Sequence, residues 1–146
     1  MIQKDELDSK VNQGWLKANM IFQVIAINEN AAKEALEEHA NKLDSDKRVR
    51  IFHKKFEKTI KIESQGERIK EAFSQICEIG LIAKTFEDLL QIIVEYGPSS
   101  VDLLEPKKIE LPISEAQTIL NTTSELMHRF AAAGLGGIVF IKGDKQ

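Results

Sequence analysis

The sequence predicts an α+β domain in which helices pack on one face of an antiparallel sheet. Three observations carry that expectation. Residues 15–28 alternate as a strand that is apolar on both faces. Two segments of helical period, each opened by a capping residue, separate the extended stretches. Residues 96–106 then run helix, tight turn, strand and proline stop within eleven positions.

Taken in order, residues 1–14 are polar and end at Gly14, which predicts a loose or helical leader. In the strand that follows, Met20, Phe22, Val24 and Ala26 share the face expected to meet the helices, and Ile21, Ile25 and Ile27 the opposite one. A strand apolar on both sides is usually central. Asn28 offers an N-cap, after which Ala32, Leu36, Ala40 and Leu43 follow at helical spacing. His39 lies beside that stripe and reads as a boundary residue half-covered by the sheet.

Asp44-Ser45-Asp46 ends the helix. Val49, Ile51 and His53 then alternate with Arg48, Arg50, Phe52 and Lys54, the pattern of an edge strand blunted by lysine. Residues 56–70 read as a charged connection turning at Gly66. A strand is expected from about residue 72, with Phe73, Cys77, Ile79, Leu81 and Ala83 on one face. Thr85-Phe86-Glu87-Asp88 resembles a capping box and opens a helix whose buried stripe is Phe86, Leu89, Leu90 and Ile93. Gly97-Pro98 stops it, and a short strand over 101–104 ends at Pro106.

Ser114-Glu115-Ala116-Gln117 is a second capping box, starting a helix expected to reach about residue 133. Ile113, Leu120 and Met127 recur every seven residues with Ala116, Thr123 and Phe130 between them, and Ile119, Leu126 and Ala133 form an adjacent stripe. The apolar face is therefore wide. Gly134-Leu135-Gly136-Gly137 closes the helix, and residues 138–141 are compatible with a last short strand. The order βαββαβ is the ferredoxin-like arrangement. The reading divides the chain into a leader, 1–14, a ferredoxin-like core, 15–106, and a C-terminal helix and tail, 107–146, packed on the same domain.

Two resemblances follow from these residues. Gly14-Trp15 leading into Met20-Ile21-Phe22, the strand before Thr85-Phe86-Glu87-Asp88-Leu89, and Pro98-Ser99-Ser100-Val101-Asp102-Leu103-Leu104-Glu105-Pro106 together resemble a family of small, uncharacterised archaeal proteins. The resemblance covers residues 14 to about 130, and the Gly-rich tail departs from it. It implies the fold and an archaeal or related source, and no activity. Residues 89–106 are also similar to the closing helix and strand of the C-terminal extension in WYL-type bacterial regulators, a likeness of supersecondary structure.

No phosphate-binding loop, zinc-ligand spacing, nucleophile elbow or zinc-protease helix motif occurs. His39, His53 and His128 fall on separate elements, so no metal site, cofactor or catalytic residue is assigned. Cys77 is the single cysteine and reads as a core residue. Residues 1–10 are charged without an apolar signal core, and no apolar run is long enough to span a membrane, so a cytoplasmic location is expected.

The net charge of −3 gives no global attraction to nucleic acid. Locally, Lys47, Arg48, Arg50, Lys54, Lys55, Lys58 and Lys61 stand against Glu57 alone, with Phe52 and Phe56 interleaved. RNA tracking along Arg48, Arg50, Lys54, Lys55 and Lys58 is therefore the alternative reading. The favoured one is a non-catalytic module that forms a homo-oligomer, most simply a dimer, with room for a small-molecule ligand. Its contact surface is expected at Ile21, Ile25 and Ile27 on the sheet and Leu126 and Phe130 on the last helix, because helices cover one sheet face and surplus apolar surface marks interaction. An enzyme with a site assembled between subunits is a third reading.

Overall fold

A computed structural model of the chain describes residues 1–63 and 71–134. It divides into two units, Met1–Ile109 and Glu110–Gln146. The first unit contains, in order, α1 (Lys4–Asn12), β1 (Leu16–Ala26), α2 (Glu29–Asp44), β2 (Val49–Phe56), β3 (Ile60–Glu63), β4 (Glu71–Ala83), α3 (Phe86–Tyr96) and β5 (Ser100–Glu105). The described part of the second unit holds α4 (Ile113–Ala132).

The sheet is antiparallel in the order β2-β4-β1-β5, with β3 also paired to β4. With α2 and α3 as crossovers this is the ferredoxin-like α+β arrangement read from the sequence. The strand alternation explains why. Leu16, Ala18, Met20 and Phe22 of β1 and Cys77, Ile79, Leu81 and Ala83 of β4 bury one face against Leu36, Ala40 and Leu43 of α2 and Leu89, Ile92 and Tyr96 of α3. Each large side chain so buried contributes roughly 1.5–3 kcal/mol.

The opposite face is not the continuous apolar patch expected. The leader is the helix α1, and it seats Ile2 and Leu7 on Ile82, ringed by Val11, Trp15 and Phe52. Elsewhere this face is largely polar: Gln23 donates to Ser74 Oγ at 2.7 Å, and His53 Nε2 meets Glu78 at 3.0 Å. Ile21 is half-buried there and Ile25 is exposed. Ile27 lies past the end of β1, so it is not on the sheet face at all.

Other expectations need correcting. The alternation of β2 breaks at Phe52, where the register shifts between Ile51 and His53 and the Phe52 ring lies over Gly80. Residues 60–63, read as connection, form β3. The break before it is bridged by buried Gln75, whose amide donates to the carbonyl of Glu57 and accepts from Thr59. Of the stripe expected on α3, Leu89 is buried and Phe86 and Ile93 pack against the core, while Ile92 and Tyr96 are buried in addition and Leu90 is only half-buried. α4 is capped by Pro112, one residue before Ile113, and Ser114 makes no capping bond. In β5 Val101 packs against the core, while Leu103, two residues on, is 48% exposed. Gly66 and the stretch 138–141 lie outside the described residues.

Thr85 and Gly97 punctuate α3 as their chemistry requires. Thr85 Oγ1 accepts from the Asp88 amide at 3.0 Å. Gly97 takes φ +59, a left-handed conformation where a Cβ would meet no neighbour, so a substitution there suffers backbone strain alone. Ser99 next pins the turn, its amide and hydroxyl both donating to the Ile21 carbonyl. Gly97→Val is expected to cost about 1–2 kcal/mol in urea unfolding, and Ser99→Ala less. The opposite ranking would assign the exposed Ser99 a role beyond the turn.

Candidate functional site

Asn28 begins the first of the candidate sites. Its side chain accepts from the Ala31 amide at 2.7 Å and fixes the start of α2. Eleven residues on, α2 presents His39 between two aromatic rings, Phe22 at 5.4 Å and Tyr96 at 5.3 Å, both edge-on. His39 Nε2 donates to the Tyr96 carbonyl at 2.7 Å. That carbonyl is among those left unpaired where α3 ends, so the imidazole serves as a cap from a neighbouring helix. A cleft of about 310 Å³ opens beside it, lined by Phe22, Val24, Leu36, His39, Tyr96 and Gly97. A shallower depression of about 350 Å³ continues along α2 past Ala35, Glu38 and Lys42.

Tyr96 links the cleft to an ionic cluster. Its hydroxyl donates to Asp46 Oδ2 at 3.0 Å. Arg48 clamps Asp46 through Nε at 2.9 Å and Nη2 at 2.7 Å, and its amide adds a bond to the same carboxylate. The other edge of the guanidinium reaches Glu95 through Nη1 at 3.0 Å and Nη2 at 2.7 Å. The Arg48 side-chain bonds hold Asp46 well below the usual carboxylate range, against the opposing effect of burial, and lower Glu95 as well. Burial first, and the Asp46 carboxylate second, push the Tyr96 hydroxyl up. All four groups are thus fixed in their charge state at neutral pH, and the cluster ties the ends of α2 and α3 to the start of β2.

That pairing bears on the basic stripe. Arg48 is engaged by Asp46 and Glu95, Arg50 by Glu6, Lys55 by Glu57 and Lys61 by Glu71. Lys54 is half-buried on the strand and Lys58 is exposed in the break between β2 and β3. The five residues singled out for nucleic acid share one edge, but three of them are already neutralised within the chain.

Cys77 sits in the core with no exposed surface. Burial pushes its thiol up from 9.0 to about 11, Lys54 pulling weakly the other way. At pH 8 that rise lowers the thiolate fraction about 100-fold. Labelling of the native protein by a thiol reagent is expected to be slower than labelling in denaturant by at least that factor. Labelling at equal rates would contradict the burial.

On α4 no residue is buried. Ile113 is 88% exposed, Leu120 65%, Met127 42% and Phe130 39%. Leu126 and Phe130, the two helix positions read as contact residues, lie one turn apart on this face, Leu126 half-buried. Among the described residues no three His, Cys, Asp or Glu side chains gather as a metal would require, and no helix is long and apolar enough to cross a membrane.

The ionic cluster went unread in the sequence. Its partners stand 47 and 50 residues apart along the chain. The local signal was Asp46-Lys47-Arg48, an acid and a base two residues apart at a helix-to-strand turn, where an Asx-type bond to the backbone is common.

The first unit is a ferredoxin-like α+β domain with an aromatic-walled cleft, and the second carries a helix with exposed apolar side chains. The chain belongs to the MJ0538 family, whose sequence profile matches residues 17–141. No curated protein matches it.

Proposed function

We propose that this chain is a non-catalytic α/β module that works as a homodimer, with the apolar face of α4 as its contact surface. One observation carries the reading: a twenty-residue helix on which Ile113, Leu120, Met127 and Phe130 are all exposed. Most of a helix's stability in a protein comes from packing its apolar face rather than from intrinsic propensity. Exposed apolar surface on this scale marks an interaction site. The sheet contributes less than the sequence suggests, because α1 and polar pairs occupy much of its second face. RNA binding along β2 loses support for a separate reason, since Arg48 and Arg50 face carboxylates of the same chain.

The cleft beside His39 supports a small ligand as part of the same reading. Its size falls at the lower end for small-molecule sites, and its lining is mostly aromatic and aliphatic. The reading also includes a cytoplasmic location, consistent with a single buried thiol, and an archaeal source, on the resemblance alone.

The test is the mass in solution. Light scattering at tens of micromolar is expected to give twice the chain mass. Leu120→Asp should halve it while leaving the circular dichroism of the sheet unchanged, and Ile25→Asp should leave the dimer intact. A wild-type monomer at that concentration overturns the reading. Dissociation by Ile25→Asp and not by Leu120→Asp would move the interface to the sheet.

A further inference from the structure

We infer that the ligand of the cleft beside His39 is an extended segment of a partner protein, added as a short strand to the free end of β1; the inference rests on the ligand reading of that cleft and not on the dimer. β1 outruns its neighbour on one side. Its pairing with β4 extends from Leu16 to Ala26, but its pairing with β5 stops at Ile21, opposite Ser100. In an antiparallel strand the backbone groups of successive residues point to alternate sides. The Ile21 carbonyl points away from β4, since it accepts from the Ser99 amide at 2.7 Å and from the Ser99 hydroxyl at 3.1 Å. Two and four residues further on, the amides and carbonyls of Gln23 and Ile25 point the same way. Among the described residues no strand lies opposite them on that side. They form a short ladder of donors and acceptors that matches another extended backbone.

Ladder and cleft are one place, because Gln23 and Gly97 line the cleft together with Phe22, Val24, Leu36 and Tyr96. The pleat then assigns the side chains of an added strand. A residue exchanging hydrogen bonds with Gln23 shares the polar face on which Gln23 donates to Ser74 Oγ. The next residue, opposite Val24, turns toward the helices and into the cleft of about 310 Å³, whose lining suits an aliphatic side chain. The residue after that lies beside Ile25, which is 57% exposed. The favoured segment therefore reads polar, apolar, apolar. One end of the notch is closed where α3 gives way, through residues 97–99, to β5, and β1 itself ends at Ala26. Only the stretch opposite residues 23–25 is open. A strand already flanked in a sheet, such as one from a second copy, is too wide for it, whereas a lone extended segment fits.

Titration of the full chain with the acetylated, amidated peptide Ser-Thr-Leu-Val-Ser, followed by amide NMR, tests the inference. The Gln23 and Ile25 amides are expected to shift. Methylating the peptide's Thr nitrogen, which faces β1, should weaken binding on the order of ten-fold, and methylating its Leu nitrogen, which faces away, should not. Ala35→Trp, at an exposed position of α2 that lines the cleft, should weaken binding similarly with unchanged circular dichroism. Equal effects of the two methylations would show that the peptide does not add as a strand, and the inference fails. Isobutanol, the leucine side chain with a hydroxyl in place of its backbone, separates the two readings. If it shifts the cleft resonances and the peptide does not, the ligand reading stands and the extended segment falls. If the Gln23 and Ile25 amides already resist hydrogen exchange without peptide and none binds, the protein fills its own notch and the inference also falls. No response to either probe overturns both.

Discussion

Phe22→Ala is expected to destabilise the first unit by about 3–5 kcal/mol. Phe22 lies on the central strand β1, is 2% exposed, and is among the largest side chains of the core. It pairs with Cys77 across β1 and β4 and touches the His39 ring edge-on. Truncation removes the aromatic packing and leaves a cavity between sheet and α2 that neither element can collapse into, since Leu36, Ala40 and Leu43 are already buried around it. The same substitution widens the cleft beside His39, because Phe22 forms its wall. Urea unfolding followed by circular dichroism measures the loss. A change below about 1 kcal/mol would mean that the core there is loosely packed.

Asp46→Ala is expected to cost about 2–3 kcal/mol at pH 7 through lost charge-assisted hydrogen bonds. The carboxylate is 13% exposed and accepts from Arg48 and Tyr96. Its pH dependence has a definite sign. The folded pKa of Asp46 is depressed, chiefly by the Arg48 side chain. Its contribution is therefore fully present above the ordinary value of 3.8 and is lost as pH falls from there toward the folded value. The wild type should lose stability over that acid range, and the gap between it and Asp46→Ala should narrow as pH falls. A gap that stays constant from pH 7 to pH 2.5 would show that the carboxylate charge is not what the cluster uses.

Most of the fold is legible because its elements carry local signals. The period of two in β1 and β4, the capping oxygens of Asn28 and Thr85, and the left-handed Gly97 each act within a few residues of where they are read. What escaped has equally physical causes. β3 is four residues long, and its alternation of Ile60 and Ile62 with Lys61 and Glu63 sits on an edge where half-exposed side chains blur the pattern. α1 holds itself to the sheet with little more than Ile2, Leu7 and Val11, too few apolar positions to declare a buried face. α4 starts at Ile113 with Pro112 at its N-cap position, which leaves the serine that looked like a cap inside the first turn. The surroundings of His39 were half visible. Its place beside the apolar stripe of α2 follows from spacing, but its carbonyl partner comes from 57 residues away.

The interruptions along the sheet margins have a consequence for how copies of this chain can meet. A regular edge strand is a template: its free amides and carbonyls invite another strand, then another, and the product is an open fibre. Here one margin is kinked at Phe52 and severed between Phe56 and Ile60, with the Gln75 side chain occupying backbone groups in the gap. The other margin shifts register between Lys17 and Ala18. Neither side presents an unbroken ladder to a newcomer, so strand-by-strand growth is frustrated at both borders. Edge-to-edge addition of strands is thereby disfavoured, whereas a two-fold contact of the kind proposed would end after the second copy.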